Sequence, residues 1–276
     1  MVSGGDDDIP LAEAALLIAA EEYPGLAVSD YLAKLDAFAE AVRPRIASSA
    51  SALDAIEALN ETLFHELGFQ GDTENYYDPR NSLLNQVIDR RKGIPITLSI
   101  VYVEVARRAN LAMAPVGLPG HFLVKHLLVK HLLIKHQGEA GELLIDPFNG
   151  GRIMTEPEVA QLLRSVTDGR LTLSPEHLAE SSNKQILTRI LANLYGVYAR
   201  GMDYDRAAAV VDRMLLIAPD TPVYFRDRGF LFAAMRKTPE AVADLERYLK
   251  LAPEADDADS VRARIREIRQ LHAGLN

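Results

Sequence analysis

Residues 94 to 111 read IPITLSIVYVEVARRANL, and the fold turns on whether they are strand or helix. The β-branched residues make strand the local preference over 96–103. Length argues the other way, because an uninterrupted run of this size exceeds an ordinary buried strand. Pro95 sits where a helix can begin without losing a bonded N–H. The stretch EVARRA (104–109) places Arg107 and Arg108 at the far end, where the helix dipole favours positive charge. The spacing therefore predicts one long buried helix that starts near Pro95 and ends near Asn110.

Toward the N-terminus, SLLNQVIDRRKG (82–93) reads as a short helix with a basic end that stops at Gly93. GDTENYYDPRNS (71–82) is dense in turn formers and reads as a loop. Within it, Asp78-Pro79-Arg80-Asn81 reads as a cap for the helix that follows. Three helices precede the loop. LAEAALLIAAEEYPGL (11–26) stops at Pro24-Gly25. SDYLAKLDAFAEAVRPRI (29–46) opens on a Ser29 or Asp30 cap and sets Leu32, Leu35, Phe38 and Val42 on one stripe. Leu53 to Leu67 is amphipathic and ends near Gly68. Toward the C-terminus, MAPVGLPG (113–120) is a strand edge and turn. HFLVKHLLVKHLLIKH (121–136) and GELLIDPFNGG (141–151) then read as two strands about the turn QGEAG.

The last third repeats itself. YDRAAAVVDRMLLIAP (204–219) aligns with TPEAVADLERYLKLAP (238–253) at an offset of 34 residues, which is the tetratricopeptide period. Phe225, Gly229, Phe232 and Ala241 fall where that pattern asks for large, small, aromatic and small. In the first unit Leu191, Tyr198 and Ala207 fit, while Tyr195 takes a small position. An array of two units is short for this architecture, so the pair is expected to pack on the preceding domain, with VRARIREIRQL (261–271) as a capping helix. Leu191, Tyr195, Tyr198, Phe225 and Phe232 are the framework of a candidate surface for a protein or peptide partner. The chain thus divides into a helical region packed on the core (1–69), a core (70–183) and a helical-repeat domain (184–276), an α+β protein.

Composition narrows the chemistry. The net charge is −9 and the isoelectric point about 5.3, which argues against a nucleic-acid partner. The sequence has no cysteine, which removes thiolate metal sites, disulfides and thiol nucleophiles together. The polar, acidic start MVSGGDDDIP is no signal peptide, and no apolar run reaches the length of a membrane span. The expectation is a cytoplasmic protein with no membrane partner and no cofactor.

Four of the seven histidines lie at 121, 126, 131 and 136, which raises a metal site. A spacing of five does not keep histidines on one helix face. On a strand, His121 and His131 face one way and His126 and His136 the other. Same-face histidines are then about 33 Å apart at ~3.3 Å per residue, far beyond shared zinc ligation. No metal is expected. His126 and His136 read as solvated or hydrogen-bonded residues of a duplicated strand. The flanks say more. His121 follows Pro119-Gly120, and Asp146 precedes Pro147-Phe148. On neighbouring antiparallel strands the two can meet, as an acid meets the imidazole it orients. The third member of such a triad belongs at the N-terminus of a buried helix, near Gly93-Ile94-Pro95.

NYYDPRNSLLNQVIDRRKGIPITLSIVYVEVARR (75–108), GLPGHFLVK (117–125) and LLIDPFNGG (143–151) together resemble the SirB-type family of bacterial transglutaminase-like proteins, whose layout also has a helical N-terminus and C-terminal tetratricopeptide repeats. The resemblance implies a papain/transglutaminase-like core of helix plus antiparallel sheet. It sets His121 in the place of the triad histidine and Asp146 in that of the aspartate. Active transglutaminase-like enzymes open the core helix on a cysteine. That place falls at about Pro95 here, so the pair reads as vestigial. Thr97 and Ser99 are the nearest hydroxyls.

Two readings follow. In one, the protein is a non-catalytic interaction or regulatory module that uses its core groove and repeats. In the other, it is a hydroxyl-dependent hydrolase or acyltransferase that uses Thr97 or Ser99 with His121 and Asp146. The histidine run itself reads as a strand unit copied twice, which adds ten residues and keeps the faces in phase. His131 is then a register alternative to His121 for pairing with Asp146, and the extra residues are expected to extend past the sheet as a hairpin or bulged loop.

Overall fold

Ala- and Leu-rich segments make α1 (Leu11–Glu22) and α2 (Val28–Ala47). α2 begins one residue ahead of Ser29, on Ala27, so neither Ser29 nor Asp30 is its cap. Asp30 instead lies in the first turn, where its charge suits the dipole. α3 (Ala52–Asn60) is capped by Ser51, which accepts from the Asp54 N–H at 3.1 Å. It then widens into a π-turn over Glu61–Glu66, in which the Leu67 N–H reaches back to the Thr62 carbonyl at 2.9 Å. The amphipathic run to Leu67 is thus two pieces. The computed structural model describes residues 5–127 and 143–273. It divides into two compact units, Gly5–Leu187 and Thr188–Asn276.

In the first unit, β1 (Gln70–Gly71) pairs in parallel with β2 (Lys92–Gly93), and α4 (Leu84–Arg90) lies between them in the chain. α4 stops at Arg91, not Gly93. Arg91 takes the left-handed conformation (φ 59°), and its guanidinium lies over the rings of Phe38 and Phe69 at 4.5 and 4.7 Å. α5 (Pro95–Arg108) is the long helix expected, buried from Pro95 through Ala106. Its β-branched residues serve burial rather than strand pairing, because α1 and α2 cover it on one side and the sheet on another. The sheet is antiparallel in the order β3 (Met113–Val116), β4 (Leu123–His126), β5 (Leu144–Asp146), β6 (Arg152–Met154). Val124 faces Ile145 and Met113 faces His126. α6 (Glu156–Val166) adds Val159 to an apolar cluster with Val116, Leu118, Leu123, Leu144 and Met154.

The free edge of β3 is covered. Val116 bridges Glu180, and the Ser181 N–H donates to the Pro115 carbonyl at 2.9 Å. Just beyond, α7 (Asn183–Arg200) begins, and its first N–H groups are met from the other end of the chain. Asp6 accepts from Asn183 at 2.7 Å and from Lys184 at 2.9 Å. Of the histidine run, β4 holds only Leu123 to His126. His121 precedes the strand rather than lying in it. His131, His136, the turn QGEAG and the expected hairpin lie outside the described residues.

The second unit continues α7 with α8 (Tyr204–Ile217), α9 (Pro222–Ala234), α10 (Thr238–Leu251) and α11 (Ala258–Ala273). Its described residues contain no strand, and its chain reverses at Pro219 and Pro253. Gly229 explains the small position of the repeat, since a Cβ there would lie 2.8 Å from Leu245 Cγ. Ala241, Leu245 and Tyr248 form a core with Val261, Ile265 and Ile268, and Phe225 and Phe232 pack at its edge. Arg228 reaches from α9 to Asp244 with two bonds of 2.6 and 2.8 Å, and to Asp212 at 2.6 Å.

Candidate functional site

The turn before β4 and the end of β5 bring His121 and Asp146 together. His121 Nε2 lies 3.0 Å from Asp146 Oδ2, and both side chains are buried. Asp146 does more than hold an imidazole. Its Oδ1 accepts from the N–H groups of Phe148 and Asn149 at 3.1 and 3.3 Å, and its Oδ2 accepts from the Asn149 amide at 2.7 Å. It therefore caps the turn Pro147–Asn149. Burial alone would raise the Asp146 pKa, but the His121 contact and the Asn149 bonds outweigh it and hold the carboxyl below its ordinary value.

An aromatic ledge adjoins the pair. Phe148 stands edge-on to the His121 ring, with centroids 6.1 Å apart, and Tyr76 stands edge-on to Phe148 at the same separation. Tyr77 meets Tyr76 at 5.3 Å and is 64% exposed. Gly71 permits this packing, because a Cβ there would lie 2.6 Å from the Phe148 ring.

The start of α5 carries Pro95 as its first residue. The Thr97 hydroxyl donates to the Asn81 carbonyl at 2.7 Å and accepts from the Ile94 N–H at 3.2 Å, so it is bonded to backbone and not to a histidine. Ser99 is fully buried, and its Oγ has no hydrogen-bond partner.

Sequence reasoning missed what organises this end of the helix. The Asn81 amide donates to Asp72 Oδ2 at 3.1 Å and to the Asn75 carbonyl at 2.8 Å, and its oxygen accepts from Arg90 at 3.1 Å. Asp72 also accepts from the Asn75 N–H at 3.0 Å, while its own N–H donates to the Gly93 carbonyl at 3.0 Å. Burial pushes the Asp72 pKa up, and the Asn75 and Asn81 bonds, with Lys92 and Arg90 nearby, bring it net below the ordinary value. A polar loop against the start of a buried helix must satisfy its donors somewhere. That was the available signal. Asp78 caps only the short turn Pro79–Asn81, accepting from Arg80, while α4 starts after Leu83. The stretch 78–81 is therefore no cap of α4.

Other candidates are dispersed. His126 is buried with Nδ1 unpartnered, which contradicts the solvated reading. Among the described residues no group of three or more metal-ligating side chains is placed to hold an ion, and no helix is long and apolar enough to cross a membrane. In the repeats Leu191 and Tyr198 are buried, whereas Tyr195, Phe225 and Phe232 are half-buried.

Comparison with known proteins matches both regions of the sequence to families. Residues 29–192 match the family profile of the transglutaminase-like superfamily, and residues 194–266 match the tetratricopeptide repeat. The chain belongs to the transglutaminase-like superfamily, within its SirB-type family. It is 37% identical over 263 residues to the "UPF0162 protein" of Xylella fastidiosa, covering 94% of this chain and 90% of that one. It is 25% identical over 268 residues to "Protein SirB1" of Salmonella typhimurium, covering 95% and 94%. It is also 28% identical over 205 residues to "F-box only protein 21" of Pongo abelii, covering 71% of this chain and 31% of that longer one.

Proposed function

We propose that this protein is a non-catalytic transglutaminase-like protein, a cytoplasmic regulatory module that binds a protein or peptide partner through its repeats and the face around His121. The observation that carries this reading is the start of α5. Pro95 has no nucleophile, and the Thr97 hydroxyl is already spent between the Asn81 carbonyl and the Ile94 N–H. A hydroxyl becomes a nucleophile when a base contacts it, and that contact would require Thr97 to abandon the Asn81 bond. Ser99 has no exposed surface through which to reach a substrate. The His121–Asp146 pair has a sufficient structural role as the clasp between the turn before β4 and the turn after β5.

The test is incubation with a fluorophosphonate probe and a panel of aryl esters, followed by peptide mapping. No label on Thr97 or Ser99 and no turnover is the expected result. Labelling at either residue, abolished by His121→Ala, would establish the hydroxyl-dependent enzyme instead.

A further inference from the structure

The repeat unit carries a second arrangement that the core reading does not use. Its charge differs from the rest of the chain. Residues 188–276 hold 13 acidic and 14 basic side chains, against 26 and 16 in residues 1–187. A near-neutral, arginine-rich surface would ordinarily suit an acidic partner. The geometry of α9 argues otherwise, because its two arginines are already engaged. Arg228 is forked onto Asp244 and bonded to Asp212. Arg226 donates to Asp257 at 2.9 Å and to Asp227 at 2.9 and 3.1 Å, and Asp257 is further held by the Tyr248 hydroxyl.

What remains on that face is a carboxylate. Both Arg226 bonds to Asp227 fall on Oδ1, so Oδ2 accepts no hydrogen bond from the described residues. Arg226 is shared between Asp227 and Asp257, which leaves the trio with one negative charge in excess. Tyr224 of α9 is three residues ahead of Asp227 and so shares its helix face, and it and Tyr195 of α7 are half-buried. Burial first, and then Asp227, pushes their hydroxyls above the ordinary tyrosine value. Burial likewise holds Asp227 above the ordinary carboxylate value despite Arg226. Phe230, 38% exposed, is three residues from Asp227 and so shares its helix face. A carboxylate with a spare oxygen, two phenol rings and an exposed phenyl ring is a receptor for a cation with an apolar neighbour.

We propose that the repeats bind a basic peptide segment of a partner protein, in which a lysine or arginine docks on Asp227 between Tyr195 and Tyr224 and an adjacent apolar side chain covers Phe230. This rests on the reading of the repeats as a partner-binding surface and assigns the partner's chemistry.

The experiment uses the full chain and three sets of fluorescent dodecapeptides matched in apolar content, one bearing lysine and arginine, one glutamate and one neither. Binding is read by anisotropy at low and at physiological salt. The basic set should bind, Asp227→Asn should weaken it by about tenfold, and Asp227→Lys should abolish it and admit the glutamate set. Asp220→Asn, at an exposed acid that faces Arg247, should change little, and circular dichroism checks that each variant is folded. Tyr195→Phe keeps the ring and should retain most of the binding, whereas Tyr195→Ala should not. If neutral or acidic peptides bind without regard to Asp227, the cation site is wrong and the interaction surface stands. If no set binds, both fall.

Discussion

Two buried aspartates in this protein are neutralised by opposite means. Asp72, in the core, is met by a backbone N–H and the Asn81 amide, with its nearest guanidinium 3.4 Å away. Asp244, in the repeats, is met by the fork of Arg228 at 2.6 and 2.8 Å. The first solution fixes backbone. Asn81 ties loop 71–82 to α4 and, through its own carbonyl, to Thr97 of α5. The second fixes helix to helix through a long side chain that spans α8, α9 and α10. The core network thus holds one loop against two helices, and the repeat network ties three helices through one side chain.

The comparison breaks first at Asn81. Asn81→Leu should cost about 3 kcal/mol, because it removes one hydrogen bond each from Asp72, the Asn75 carbonyl and Arg90 in a buried network, and urea denaturation followed by circular dichroism measures it. Arg228→Met should cost less, about 2 kcal/mol, since the guanidinium is partly exposed and the methionine stem keeps its packing. Arg228→Lys should recover only part of that, as an ammonium cannot fork. If Arg228→Met proves the costlier change, the core network is not the more stabilising one.

The fold was legible where one element carries its own evidence. Pro95 and the Arg107-Arg108 end mark α5, and the 34-residue offset marks the repeats. The meeting of His121 and Asp146 was legible because turn formers flank each. Asn81 was not, because its partners Asp72, Asn75 and Arg90 are chosen by the fold and no spacing rule announces them. Gly93 looked like the stop of α4 because glycine is the usual left-handed residue. The structure gives that role to Arg91, whose side chain gains two aromatic faces. Ser29 and Asp30 are good caps by type, and α2 starts ahead of both.

Acid should sharpen the contrast between His126 and Asp146. Burial lowers the His126 pKa from its ordinary 6.5. The unfolded chain thus takes a proton before the folded one does, and stability falls as pH drops below about 6.5. Asp146 is also held below its ordinary 3.8, so its contribution is intact above that value and is lost as pH falls through its folded pKa. His126→Phe should flatten the upper slope alone, and Asp146→Asn the lower one alone, in stability measured against pH. The smallest effect is at Ser99. Its hydroxyl bonds nothing, so Ser99→Ala should be neutral or stabilise by up to about 1 kcal/mol, and a loss of more than that would mean that a water serves it.

The contact between Asp6 and the start of α7 has a consequence for synthesis. Asp6 is made well before its partners, since the N–H groups that it caps belong to residues 183 and 184. At ~5–20 residues per second, those partners are made about 9–35 s later. Through that interval the N-terminal segment has no helix end to cap and the edge of β3 has no Glu180 to cover it. The nascent chain therefore passes through a stage with an open sheet edge, and holdase chaperones should associate with chains stalled before residue 180 and release those stalled well beyond 184.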